Sequence, residues 1–245
     1  VVSVEFAARD LRLSGGAVSG IDGYGGGIYL GGNSSSTASL TRVDVTASSA
    51  SEGGGGVAAL GLGNLTLDDS SVTDSSVVGM YVSDVAQLSV VNSSLSGNIG
   101  GGLDSTSTAA TTIRLVGSTV ADNPGTTPDG GGGVSVRAFF DLARLEIADT
   151  TIHGNSSTTL AGGMLLLADT QASVIATLSR VTMSSNYSSG AGGGIATRRG
   201  INGPGTVELA VVDCDLVGNS AGAWGGAAAI GLGVARFHGS SFSGN

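Results

Sequence analysis

Two short signatures recur along this sequence, and their recurrence constrains the fold more than any other feature. The first is a glycine cluster closed by a small or apolar residue: Gly25-Gly26-Gly27-Ile28, Gly54-Gly55-Gly56-Val57, Gly100-Gly101-Gly102-Leu103, Gly131-Gly132-Gly133-Val134, Gly162-Gly163-Met164, Gly192-Gly193-Gly194-Ile195 and Gly225-Gly226-Ala227, with Gly79-Met80 a weaker copy. The second is an apolar residue with asparagine three positions later: Leu95/Asn98, Val120/Asn123, Ile152/Asn155, Met183/Asn186, Leu216/Asn219 and Phe242/Asn245. Val45 and Val72 hold the same place in the cycle, with Ser48 and Ser75 replacing the asparagine. From Val45 to Phe242 these anchors advance by 27, 23, 25, 32, 31, 33 and 26 residues. Five and seven positions before the anchors lie alternating apolar pairs such as Leu65/Leu67, Ile113/Leu115 and Leu209/Val211. Alternation over so short a run specifies strands, and no stretch sustains a 3.6-residue period.

Three short strands per repeat with glycine-rich corners predict an all-β chain wound as a single-stranded parallel β-helix, a solenoid of about eight or nine coils of 23–33 residues. Each strand would lie about 4.8 Å from its equivalent in the next coil. Residues 1–245 read as one domain, whose variable repeat lengths leave as corner loops. The longest loops are expected in 121–133, 156–162, 184–193 and 197–206. Two residues before each anchor, and again one residue before it, stand mostly Ser and Thr, and Cys214 joins the two-before column. Asn98, Asn123, Asn155, Asn186, Asn219 and Asn245 form a column of their own, suited to a side-chain amide ladder and tolerant of a tight corner. The chain opens in a strand-like run and closes on Phe242-Ser243-Gly244-Asn245, so it reads as a stretch of a longer polypeptide. Bare strand edges leave end-to-end stacking into a fibre as one alternative.

Composition narrows the function classes. A net charge of −9, with ten basic residues that are all arginine, argues against nucleic acid or anionic lipid as partner. One cysteine makes no internal disulfide, and no Cys/His cluster implies zinc or another metal. The 44 glycines do not signal disorder, because only 12% of residues are charged and the mean hydropathy is positive. The longest uncharged stretch is broken by six glycines, so no membrane insertion by this segment is expected.

The pairing of Gly-Gly-[Ala/Gly]-[Ile/Leu/Val] with Phe-x-x-Asn resembles the repeat of polymorphic outer membrane proteins, found in autotransporter passengers and related surface proteins. Phe242-Ser243-Gly244-Asn245 matches the second motif outright, and Leu95-Ser96-Gly97-Asn98 and Ile152-His153-Gly154-Asn155 match with another apolar residue in front. The likeness runs from about residue 20 onward and departs at the Val45 and Val72 repeats and at Gly79-Met80. It implies a right-handed helix, a bacterial cell-surface or extracellular location, and a role in adhesion or surface display.

Catalysis is the competing class, because a β-helix can carry a polysaccharide hydrolase or lyase. Three residues before the anchors, successive coils present Asp149, Arg180 and Asp213. Two carboxylates about 10 Å apart would stand near the ~6.5–9.5 Å separation of an inverting glycosidase. An alternating ion ladder explains the same residues without chemistry. His153 and His238 fall in different columns, Cys214 replaces a serine, and Arg198-Arg199 and Trp224 lie beside corners. The glycine runs match neither a phosphate loop nor a calcium nonapeptide. The expectation is therefore a non-catalytic module without cofactor that displays loops on a rigid stalk. Its partner would be a host or neighbouring-cell surface, polysaccharide or protein.

Overall fold

The computed structural model describes residues 3–126, 130–200, 203 and 205–245. It is built from parallel strands alone, and the described residues contain no helix. Every coil contributes one strand to each of three stacked columns. The strands Ile28–Gly31, Val57–Leu60, Met80–Ser83, Leu103–Ser107, Val134–Ala138, Met164–Ala168, Ile195–Arg199 and Ala228–Ile230 form an eight-stranded sheet, here the glycine-led sheet because each follows a glycine cluster. Longer strands such as Thr111–Val116, Leu142–Ala148 and Ser173–Ser179 form the second column, and three-residue strands such as Thr119–Ala121 and Thr151–His153 the third. The last two columns join into one sheet through the continuous strand Thr37–Thr46.

The strand register reproduces the sequence repeat. Val45 pairs with Val72, Val72 with Leu95, and so on through Ile152, Met183 and Leu216 to Phe242. Leu13 pairs with Val45, so the stack holds a further rung that the signatures do not mark, because Gly16 stands where the asparagine would be. Alternating residues point inward and make one continuous core of Leu, Val, Ile, Ala and Met.

Each coil turns at two residues of left-handed backbone. The first precedes the anchor by three, and includes Asp10, Arg42, Asp69, Asn92, Asp149, Arg180 and Asp213, with φ between +46° and +52°. The second follows it by two, and includes Asp74, Gly97, Asp122, Gly154, Ser185 and Gly218, with φ between +54° and +66°. Asn, Asp and Gly are the residues that enter this region most readily. The asparagines of the repeat are therefore not themselves the strained corner residues; each comes one position later.

The segments 156–162 and 184–193, expected as loops leaving the coil, fold back instead. Ser156–Ser157 and Tyr187–Ser188, with Pro124–Gly125 and Ser220–Ala221, make a small third sheet. Leu160, Ala191 and Trp224 are then bridged in a short ladder, with Ala161 and Leu160 packed over Leu165 and Ala196 on the outer side of the glycine-led sheet. Residues 127–129 of the segment 121–133 and 201, 202 and 204 of the segment 197–206 lie outside the described residues.

Candidate functional site

The corners create a hydrogen-bonding problem, and two columns of side chains solve it. After a left-handed residue the next N–H is taken by a side chain of the following coil. At the first corner the acceptor is a hydroxyl: Val43 N–H donates to Ser70 Oγ (2.9 Å), Ser70 to Ser93 (3.0 Å) and Ser93 to Ser118 (3.1 Å). At the second corner it is an amide. Asn98, Asn123, Asn155, Asn186 and Asn219 each donate Nδ2–H to Oδ1 of the next asparagine at 2.8–3.0 Å, ending on Asn245. Each backbone N–H reaches the same Oδ1, and each Nδ2 also donates to the carbonyl of the anchor one coil back. Asn98 through Asn219 are fully buried, and every polar atom of their side chains is used. The two signatures meet here: a Cβ on Gly133 would sit 2.5 Å from Gly163 O and about 3.1 Å from Asn155 Nδ2, so the glycine lets the chain lie against the ladder.

Asp149, Arg180 and Asp213 all occupy first-corner positions, with φ of +50°, +52° and +51°. The structure brings two of them into contact. Arg180 Nε and Nη2 donate to Asp149 Oδ1 and Oδ2 at 2.6 and 2.8 Å, a bidentate pair open to solvent. That hydrogen bonding holds the Asp149 carboxyl below its usual range. Asp213 turns its carboxylate over Gly239 of the following coil, where a Cβ would otherwise sit. The same Asp-Arg-Asp order recurs five coils earlier as Asp10, Arg42 and Asp69, again with a bidentate contact at 2.5 and 2.9 Å. The column thus has a backbone and ion-pair reason for its residue types. A carboxylate gripped by arginine is also a poor proton donor.

A different cluster, spread over five coils and invisible to the repeat, lines a groove of about 360 Å³ on the outer side of the glycine-led sheet. Tyr24 and Tyr81 stack there with ring centroids 5.7 Å apart and planes 16° from parallel. Tyr81 Oη shares a hydrogen bond with Thr106 Oγ1 (3.2 Å). Asp104, only 8% exposed, takes Arg137 Nη2–H on Oδ2 at 2.5 Å. Asp104 Oδ1, Arg137 Nε and Ser135 Oγ are buried without a hydrogen-bond partner. Burial pushes the Asp104 carboxyl up, against the opposing pull of Arg137. Burial, with repulsion from Tyr81, also raises the Tyr24 phenol. Exposed Glu52 stands at the rim.

The right handed beta helix region matches residues 19–141, half of the chain. The chain belongs to the right-handed β-helix family. No curated protein matches it, and no solved structure does.

Within this right-handed β-helix the remaining singled-out residues are dispersed. Cys214 stands in the hydroxyl column and acts as a serine would, its Sγ accepting Val181 N–H at 3.4 Å and donating to Val212 O at 3.1 Å. Burial raises its thiol. His153 and His238 lie on strands of different columns, Thr151–His153 and Val234–His238. Arg198 and Arg199 end the strand Ile195–Arg199, and Trp224, 75% exposed, borders an apolar groove with Ile230 and Ala196. Among the described residues no three His, Cys, Asp or Glu side chains gather as metal ligands would.

Proposed function

We propose that this β-helix is an extracellular, non-catalytic adhesive module that displays its variable segments on a rigid solenoid. One observation carries the reading. Ladders repeated from coil to coil occupy both left-handed corners, whereas the inserted segments 156–162 and 184–193 fold onto the outer side of one sheet, the glycine-led sheet. A stiff rod that carries varied segments on a sheet face suits recognition. The likeness of the repeat to that of polymorphic outer membrane proteins supports a bacterial surface or autotransporter-like setting, with a host or neighbouring-cell polysaccharide or protein as partner. Beads coated with the chain should adhere to polysaccharide- or protein-coated surfaces and release no product from a polysaccharide panel. Failure to adhere to any surface would overturn the reading, as would turnover abolished by Asp213→Asn.

A second reading, a polysaccharide hydrolase or lyase, is favoured less by Asp149, Arg180 and Asp213 than by the raised carboxyl of Asp104 in a groove rimmed by Glu52. It expects turnover that disappears with Asp104→Asn.

A further inference from the structure

The outward positions of the glycine-led sheet show what the fold itself requires. Along one outward column, successive coils place Tyr81, Asp104, Ser135, Leu165 and Ala196. In the neighbouring column Arg137 is followed by Leu167. Leu165 is buried under the folded-back segments and Leu167 is buried as well, so these positions accept leucine when covered. A buried ion pair is no general source of stability, and hydrophobic replacements of similar volume are often as good or better. The fold therefore has no need of Asp104 and Arg137. It also leaves Asp104 Oδ1 and Arg137 Nε without partners, in a groove whose wall is an aromatic stack.

We propose that this groove is a binding site for a neutral hexopyranose unit of a glycan, with Tyr81 and Tyr24 packing against the sugar ring and Asp104 and Arg137 holding adjacent hydroxyls. The negative face of an aromatic ring attracts the weakly positive C–H edge of a sugar. Neighbouring hydroxyls each donate and accept, so they match a carboxylate and a guanidinium held side by side. Arg137 makes one side-chain hydrogen bond, to Asp104; its Nε is buried, and the remaining Nη hydrogens are left for a ligand. Charge selects the neutral sugar over a uronate: the pair neutralises itself, Glu52 adds a negative rim, and the chain carries −9. The groove volume lies within the usual span of small-molecule sites, roughly 300–1,000 Å³.

This assignment rests on the adhesive reading for its role but not for its chemistry, and the two are tested apart. Isothermal titration of the full chain with gluco-, manno- and galacto-oligosaccharides, and with matching oligouronates, should give saturable binding to at least one neutral series. Tyr81→Ala should weaken it at least tenfold. The double variant Asp104→Leu with Arg137→Leu should abolish it while melting no lower than the parent, a result that a merely structural pair would not produce. The site is overturned by no binding to any neutral series, by tighter binding of the uronates, or by a folded double variant that binds like the parent. Should the double variant not fold, Tyr81→Ala and Asp104→Asn decide, and unchanged affinity in both overturns the site. Adhesion of coated beads that survives these substitutions would remove this site yet leave the adhesive reading intact.

Discussion

At the scale of single residues, this protein is organised by its left-handed corners. An aspartate or asparagine at a corner folds its side-chain oxygen over the glycine of the next coil, as Asp122 does over Gly154, Asp74 over Gly97 and Asn92 over Gly117. Gly154→Ala meets both the left-handed penalty of about 1–2 kcal/mol and a collision with Asp122 Oδ1. Gly218 has the same backbone, but the nearest atom to its added Cβ is Ser185 Oγ at 4.0 Å. Asp122 is exposed and its carboxylate can turn aside, so urea unfolding should rank Gly154→Ala below Gly218→Ala by no more than about 1 kcal/mol. Cys214→Ser should keep the ladder and stay within about 1 kcal/mol of the parent, while Cys214→Ala leaves Val181 N–H unpaired and costs about 1–2 kcal/mol. Carboxyl NMR should separate two kinds of aspartate. Asp149 should titrate below the ordinary range, returning upward in Arg180→Gln, and Asp104 above it. The signs follow from linkage. Asp149 contributes stability that is present above the ordinary carboxylate range and lost as pH falls through its depressed value. Asp104, whose charged form the fold disfavours, makes stability fall as pH rises through that range, and Asp104→Asn should remove this slope.

At the scale of elements, the asparagine ladder carries more of the fold than any one strand. Asn155→Ala would strand the Asn123 N–H, the Asn123 Nδ2–H and the Val120 carbonyl in a fully buried setting. At roughly 1–3 kcal/mol for each buried unsatisfied group, the loss should reach about 3–5 kcal/mol in chemical denaturation. Asn245→Ala, at an exposed position, should cost less. The ladder was legible as a column in the sequence, because identical residues at a fixed offset from an anchor need only correct alignment. The folded-back segments were not legible. Leu160 and Ala191 carry no pattern that says whether a segment leaves the coil or covers it, and their meeting with Leu165 and Ala196 is decided across coils.

At the scale of the whole molecule, stability is spread along a stack in which each coil touches only its neighbours. Hydrogen exchange should report that gradient. Amides of Glu5–Ser14, a strand exposed along almost all its length, should exchange first. Those of Leu142–Ala148 and Ser173–Ser179, hydrogen-bonded on both sides over the continuous core, should exchange last. Uniform protection across all coils would show instead that the solenoid opens in a single step.

The amino-acid sequence by itself determined the coil, its register and both ladders, because a solenoid repeats one local problem and its solution recurs at a readable spacing. It also placed Asp149, Arg180 and Asp213 in one column, although it could not show that the column is a left-handed corner; backbone dihedrals leave only a residue preference, and Asp, Asn and Gly serve many ends. Tertiary structure alone decided the groove. Tyr24, Glu52, Tyr81, Asp104 and Arg137 come one from each of five successive coils, and apart from Tyr81 and Asp104, which are register partners, they share no common offset. Their stacking, burial and missing partners arise only when strands from separate coils lie side by side on the face that the repeat leaves free to vary.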